Sequence, residues 1–208
     1  MNKAVFLWLW IFPLFMMGQG KDDAKSLLSD LRRMQDDTLK VNQLHKLGLL
    51  YIDSDSSKAF FYNRKALQLA QKLQWQEGIA QSNFHLGSVY NVHFSYDKAL
   101  VFFKRALATS NQRLLGTAYL NIGGVYIQKS DYPKALAYFH RALKIDEAIG
   151  DQKGTAKIAA NMGSVYYGLQ NYKKALYFFD KAAQINEQIG NEADLAIVNR
   201  NRGGVYNS

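Results

Sequence analysis

The chain has 208 residues, a formal net charge of +9, 48% hydrophobic residues and 21% charged residues. This composition excludes an intrinsically disordered chain, and the length suits one domain or a short solenoid. The sequence contains no cysteine, which excludes disulfides, thiolate metal sites and cysteine nucleophiles. The basic residues are spread along the chain, so we interpret the charge as a solvated helical surface and expect no nucleic-acid partner.

The first twenty residues have the pattern of a secretory signal peptide. After one positive charge, residues 4–17 are almost purely apolar, and Gly18 and Gly20 precede the charged Lys21. The apolar stretch is shorter than the roughly 20 residues of a membrane span. We therefore expect residues 1–20 to be removed and the protein to be exported, to the periplasm or in association with the envelope. An uncleaved membrane anchor is the alternative, and after cleavage we expect no membrane contact.

Residues 21–40 are predicted to form a helical lead-in, and the remaining chain, 41–208, repeats. Its segments share a glycine followed three residues later by tyrosine, and the glycines are separated by 39, 36, 40 and 40 residues. They are Gly48, Gly87, Gly123, Gly163 and Gly203. Such periods indicate a solenoid. The predicted units span about 41–79, 80–115, 116–155 and 156–195, with a partial unit at 196–208.

A second helix is predicted in the second half of each unit. Pairs of alanines seven residues apart share one helix face, where small side chains let a neighbouring helix approach closely. Phenylalanine lies between the alanines in three units, at Phe103, Phe139 and Phe179. The turns agree with this interpretation. Ser95, Asp131 and Asn171 are predicted N-caps, and Gly150 and Gly190 are predicted to end second helices, where Gln74 stands in the first unit.

The combined pattern resembles the tetratricopeptide repeat. Its Leu-Gly-x-x-Tyr, Ala, Phe and Ala positions are matched in one unit by Leu86, Gly87, Tyr90, Ala99, Phe103 and Ala106. The first unit departs from the pattern, because Asn63 stands where phenylalanine is expected. The resemblance implies an all-α fold, a right-handed superhelix of helix-turn-helix units whose first helices line the concave side.

The resemblance also implies a binding site on that concave side. Asn121, Asn161 and Asn201 each stand two residues before a repeat glycine, and an asparagine amide offers both a donor and an acceptor to the backbone of an extended peptide. We expect no acidic side chain on this face, so an acidic partner or a peptide carboxylate would suit its two positive charges. The other residues expected there are Gln81, Phe84, His85, Gln128, Lys157, Tyr167 and Arg200.

No motif for catalysis, metal or cofactor binding occurs. The four histidines form no His-Glu-x-x-His pattern, and the paired glycines lack the lysine and hydroxyl of a phosphate-binding loop. Acidic neighbours such as Asp146 and Glu147 are expected on polar faces. We therefore expect no enzyme, no metal site and no cofactor.

The sequence favours an exported protein-interaction scaffold that binds a protein or an extended peptide. The alternative is the sensor or regulatory module of an envelope signalling protein, because repeats after a signal peptide are similar to the front of certain histidine kinases and helix-turn-helix regulators. The output domain of such a protein is absent from this chain. The identity of the partner cannot be read from the sequence.

The last unit contributes a first helix, expected from about residue 194 to residue 206, and no second helix follows it. Val198, Val205 and Tyr206 would lose the cover that a neighbouring helix provides. The chain is therefore expected to be either a fragment of a longer protein or an obligate partner-binder at this end, and self-association is the simplest way to cover the exposed face.

Overall fold

The computed structural model describes residues 19–208, and the predicted signal peptide lies almost entirely outside the described residues. Ten α-helices follow one another in this range, which contains no strand. They are α1 (Gln19–Arg33), α2 (Thr38–Leu50), α3 (Ser56–Lys72), α4 (Gln76–Val92), α5 (Tyr96–Ala106), α6 (Gln112–Gln128), α7 (Tyr132–Ala148), α8 (Gln152–Gly168), α9 (Tyr172–Gln188) and α10 (Glu192–Tyr206). The all-α prediction is confirmed. None of these helices is long and apolar enough to span a bilayer.

The helices pack as successive pairs. The even-numbered helices from α2 to α10 are the first helices of the units, and they contact one another along the array. The second helices, α3, α5, α7 and α9, pack on first helices and have no contacts with each other within the described residues. The array therefore closes on the side of the first helices, which is concave, and the second helices form the outer side. Each first helix begins three or four residues before the expected start of its unit.

The turns follow the predicted cap chemistry with one exception. The side chains of Asp131 and Asn171 accept hydrogen bonds from the backbone N–H groups of Lys134 and Lys174. Ser95 is the N-cap of α5 by position, yet its side chain makes no capping hydrogen bond. Its hydroxyl lies instead 3.5 Å from the carbonyl oxygen of His93. The N-cap position of α5 thus relies on backbone geometry alone.

Left-handed backbone marks the ends of several helices. Gly150 and Gly190 have φ of 69° and 68°, which glycine adopts without a steric cost. Non-glycine residues adopt the same conformation at four other turns, with φ between 52° and 58°. They are Gln74, Phe94, Ser130 and Gln170.

In three of the four helix pairs, the core is a glycine packed against a phenylalanine ring. Phe103, Phe139 and Phe179 are at most 2% exposed, and each ring lies against the repeat glycine of its own unit. In the first unit the buried amide of Asn63 takes this place against Gly48, and its Nδ2 donates to the carbonyl oxygen of Ala59 at 2.9 Å. A side chain at the glycine would displace the ring or amide, so the glycine sets the distance between the two helices.

A second contact recurs in all four helix pairs. A tyrosine near the end of the first helix stacks on an aromatic ring of the second helix, with centroids 5.2–5.8 Å apart. A lysine ammonium lies 4.9–5.6 Å from the centroid of the same tyrosine. The sets are Tyr51 with Tyr62 and Lys58, Tyr90 with Phe102 and Lys98, Tyr126 with Tyr138 and Lys134, and Tyr166 with Phe178 and Lys174. Each stack clamps the two helices of one unit together.

Candidate functional site

A groove lies at the N-terminal end of the array, between the end of α1, α2 and α4. It encloses about 580 Å³ and is lined by Met34, Leu39, Asn42, Gln43, His45, Lys46, Leu49, Gln81 and His85. A second recess of about 480 Å³, between α1 and α2, shares Lys46 and Leu49 with it. Two of the residues predicted for the concave face, Gln81 and His85, are therefore brought together here.

The groove combines apolar and polar walls. Leu39 is 64% exposed and Leu49 is 45% exposed, so the apolar side chains are open to a ligand. Asn42, Gln43 and Gln81 add amide groups, and no carboxylate lines the groove. Such a mixture can bury an apolar side chain of a ligand while hydrogen bonding to its backbone.

One wall of the groove is a pair of histidines. The rings of His45 and His85 lie 4.7 Å apart between centroids. The hydroxyl of Ser82 donates its proton to the carbonyl oxygen of Gly78 at 2.7 Å, so it accepts from Nε2–H of His45, also at 2.7 Å. Nδ1 of His85 is buried without a hydrogen-bond partner among the described residues.

The histidine pair is uncharged at neutral pH. Burial, and secondly repulsion from His85 when that ring is protonated, lower the pKa of His45 to about 3. Burial lowers the pKa of His85 to about 4. Among the groove residues, positive charge at pH 7 is therefore carried by Lys46.

Two of the groove residues share one register position of the repeat. Lys46 and His85 stand two residues before Gly48 and Gly87, and both line the groove. The predicted asparagines occupy the same register in the later units, and all three are half-buried. They are Asn121, Asn161 and Asn201. Nδ2 of Asn121 donates to the carbonyl oxygen of Thr117 at 2.8 Å, which leaves its side-chain oxygen for a ligand.

The other predicted residues do not line this groove. Phe84 is half-buried, and its ring packs 5.6 Å from that of Phe103, so it contributes to the core. Gln128 is exposed and accepts from the Tyr96 hydroxyl at 3.5 Å, and the exposed Tyr167 hydroxyl lies 3.1 Å from that of Ser208. Lys157 is half-buried and Arg200 is exposed.

The expectation of a concave face without acidic side chains stays a prediction, and Glu77 is not among the residues that line the groove. Glu77 lies one turn before Gln81 on α4, and its carboxylate accepts from Nε2 of Gln81 at 3.4 Å and from the hydroxyl of Thr109 at 2.6 Å. These bonds hold the carboxylate at the α5–α6 connection. The sequence did not indicate this contact, because Glu77 and Thr109 are 32 residues apart.

Asp146 corrects the expectation that this acid lies on a polar face. It is only 5% exposed, and its carboxylate lies between the bare backbones of Gly116 on α6 and Gly154 on α8. Burial and the nearby charge of Asp151 raise the pKa of Asp146 to about 6, and Arg113 opposes them. Asp146 is therefore an interior acid held by two glycines, and it does not lie on a polar face.

Lys46, Leu39 and Leu49 are groove residues that sequence reasoning missed. Lys46 could have been found, because it holds the register of the asparagines in a unit whose repeat pattern is weak. The two leucines could not, since their exposure depends on how α1 and α2 pack. Within residues 24–208, no cluster of three or more His, Asp or Glu side chains is placed to hold a metal ion.

Comparison with known proteins agrees with this architecture. Residues 114–188, from α6 to the end of α9, match the family described as Tetratricopeptide repeat. No curated protein matches the sequence.

Several solved structures share the fold. BtubC from P. vanneervenii has a TM-score of 0.79 and 23% identity, covering 91% of this chain and 82% of that one. A STAND signal-transduction ATPase with a tetratricopeptide repeat sensor, from Pyrococcus horikoshii, has a TM-score of 0.79 and 19% identity, covering 91% of this chain and 30% of that one. A Rap protein complexed with Competence and Sporulation Factor has a TM-score of 0.78 and 21% identity, covering 85% of this chain and 51% of that one. The chain is thus an all-α, tetratricopeptide-type solenoid of helix-turn-helix units.

Proposed function

We propose that the protein is a non-catalytic interaction scaffold that binds an extended segment of another polypeptide along its concave face. The observation that carries this proposal is the shared register of Lys46, His85 and the three asparagines, since the first two of these positions line an open groove. A segment anchored there can continue past Asn121 and Asn161, whose amides can pair with its backbone.

The groove at α2 and α4 also indicates the chemistry of the anchor. Exposed Leu39 and Leu49 suit a large apolar side chain of the partner, and Lys46 suits a carboxylate beside it. The partner segment proposed here therefore carries an apolar side chain next to an acidic one.

A site-specific cross-link tests the location of the partner. Because the chain has no cysteine, Leu49→Cys carries a single photo-cross-linker. In an envelope extract it should capture a defined partner, whereas the matched variant Gln184→Cys, exposed on α9 at the outer side, should not. Equal capture at both positions, or capture at Gln184→Cys alone, would contradict binding in the groove.

The asparagine register is tested with the captured partner. Asn121→Ala together with Asn161→Ala should weaken its binding by about 1–3 kcal/mol, through lost hydrogen bonds to the peptide backbone. Helical circular dichroism and the melting temperature should stay unchanged. Unaltered affinity would restrict the site to the groove between α2 and α4.

A regulatory role is the second proposal. Two structures with the same fold are named for a sensor in a signal-transduction ATPase and for a complex with Competence and Sporulation Factor. In this proposal the array is the sensor of an envelope signalling protein. A coding sequence that continues beyond Ser208 into an apolar stretch of about 20 residues and an output domain would support it.

Export is also a proposal, supported by the apolar stretch and small residues within residues 1–20. The intact mass of the protein recovered from the exported fraction should correspond to a chain that begins at Lys21 or Gln19. Full-length mass in the membrane fraction would support the anchor instead.

A further inference from the structure

The outer side of the array carries a repeated cationic and apolar pattern in its first two units. In both α3 and α5, a lysine is followed three residues later by an exposed apolar side chain, and then by two adjacent cations. The equivalent pairs are Lys58 and Lys98, Phe61 and Val101, Arg64 and Lys104, and Lys65 and Arg105.

These side chains share one exposed surface. Spacings of three and seven residues place them on a single helix face. Phe61 is 49% exposed and Val101 is 48% exposed, although neither residue type gains from contact with water. Both α3 and α5 pack on α4, so their exposed faces lie next to each other on the outer side of the array. We call this surface, defined by the eight residues of the equivalent pairs, the outer basic face.

Lys58 forms a salt bridge with Asp55 at 2.9 Å, whereas the other five cations of the outer basic face have no such partner in the described part of the chain. Asp97 is the one carboxylate within α3 and α5, and it forms a salt bridge with Lys129 of α6 at 2.7 Å. No salt bridge with a carboxylate of the described residues is made by Arg64, Lys65, Lys98, Lys104 or Arg105.

Several of these cations lie over aromatic rings instead. The Lys65 ammonium lies 4.4 Å from the centroid of the exposed Phe61 ring, and the Arg105 guanidinium lies 5.2 Å from that of Phe102. A cation over a ring is held in position while it stays available to an anion. The outer basic face therefore presents ordered positive charge around an apolar crest.

The pattern fades along the array, so it is more than a by-product of the repeat. In α7 the apolar position is Ala137 and the first position of the cation pair is His140. In α9 that position is Asp180, which forms a salt bridge with Arg202 at 2.9 Å. Among the described second helices α3, α5, α7 and α9, an exposed apolar side chain followed three residues later by two adjacent cations thus occurs only in the first two units.

We propose that the outer basic face binds an anionic lipid surface, with its cations at the phosphate groups and with Phe61 and Val101 in the headgroup layer. Anionic headgroups attract clustered Lys and Arg, and apolar side chains among such cations enter the interfacial layer. A nucleic acid would pair with the cations, yet it would leave Phe61 and Val101 without an apolar environment. The outer basic face and the concave groove lie on opposite sides, so a bound membrane leaves the groove open.

A dye attached at one position detects contact between the outer basic face and lipid. The apolar residues 4–17 are the same in every variant, so they do not cause differences between variants. The full chain carries an environment-sensitive dye on Val101→Cys, a unique thiol in a cysteine-free protein. Vesicles with 30% anionic phospholipid should shift the dye emission to the blue, and purely zwitterionic vesicles should leave it unchanged. The matched control is the dye on Tyr177→Cys, the equivalent position of α9, where the parent side chain is 63% exposed. It should not respond to either vesicle.

Removal of the cations should abolish the response. Arg64→Gln, Lys65→Gln, Lys104→Gln and Arg105→Gln together should lower the vesicle affinity reported by the dye at least about 100-fold. The same number of cations removed elsewhere, at Lys153, Lys157, Lys173 and Lys181, should change it less than about 10-fold. Phe61→Ser with the cations intact should give an intermediate loss, and circular dichroism checks that each variant is folded.

Three outcomes would overturn the proposal. The first is a dye at position 101 that does not respond to anionic vesicles, or responds equally to zwitterionic ones. The second is an equal response at position 177. The third is a dye shift with a duplex oligonucleotide or an acidic protein and none with vesicles, which would assign the outer basic face to that class of polyanion.

Discussion

The ring of Phe139 packs directly on the backbone of Gly123, so closely that a Cβ on this glycine would lie 2.5 Å from Cε1 of the ring. A Cβ on the adjacent Gly124 would have no atom within 4 Å, apart from its chain neighbours and the backbone of its own helix. Two neighbouring glycines in one helix therefore have opposite roles, one in packing and one without a packing constraint.

This contrast predicts opposite effects of one substitution. Gly123→Ala should lower the free energy of unfolding by about 1–3 kcal/mol, because the ring of Phe139 or the helix α7 must shift. Gly124→Ala should raise it by about 0.5–1 kcal/mol, because alanine favours the helix and nothing obstructs its methyl group. Chemical denaturation followed by circular dichroism measures both. Equal effects of the two substitutions would refute the packing role of Gly123.

Asp146 predicts a pH-dependent loss of stability. Its pKa in the folded protein is raised to about 6 from the ordinary 3.8, so the folded state holds the proton more tightly than the unfolded state. The contribution of Asp146 to the free energy of unfolding therefore falls as the pH rises from about 4 through about 6. The variant Asp146→Asn should remove this loss. The equivalent position of the next unit already holds an asparagine, Asn186.

The measurement is the difference between the variant and the natural protein at each pH. We expect little difference near pH 4 and a gain of about 1–2 kcal/mol for Asp146→Asn at pH 7. Titration of the histidines cancels in the difference. The exposed neighbour Glu147, paired with Lys181, is the control, and Glu147→Gln should shift stability by less than about 0.5 kcal/mol. A difference for Asp146→Asn that is constant from pH 4 to pH 7 would contradict the argument.

Gln74 has φ of 52° at a turn where the later units use glycine. A side chain in this left-handed conformation costs about 1 kcal/mol. Gln74→Gly should raise the melting temperature slightly, whereas Gln71→Gly, three residues earlier within α3, should lower it because glycine weakens a helix. Differential scanning calorimetry compares the two variants. A drop for Gln74→Gly would show that the gain in unfolded-state freedom outweighs the strain.

The sequence was sufficient for the fold because the contacts that define it recur. Three units repeat the glycine and the phenylalanine that pack together, at Gly87, Gly123 and Gly163. The interior position of Asp146 could not be predicted, because it depends on Gly116 and Gly154, which have no equivalent pair in the neighbouring units. Similarly, His45 and His85 meet through the packing of α2 on α4, which the pattern within one unit does not describe.

The register of the candidate site stays a prediction from the sequence, whereas the extent of the groove could not be predicted. Asn121 and Asn161 were selected by their distance from the glycine, and the groove supports that register through Lys46 and His85. The width of the groove comes from α1, whose packing leaves Leu49 open in two adjoining recesses. The helix α1 lies outside the repeat, so no periodicity could reveal its contribution.

The stack of lysine, tyrosine and a second ring lies wholly within one helix pair, as at Lys134, Tyr126 and Tyr138. Its members are encoded within about a dozen consecutive codons, and all of them belong to the same helix pair. Tandem duplication of the stretch of gene that encodes one helix pair therefore adds a pair that already contains the stack. Arrays built from this unit can lengthen or shorten during evolution in whole-unit steps, without compensating substitutions in the stack.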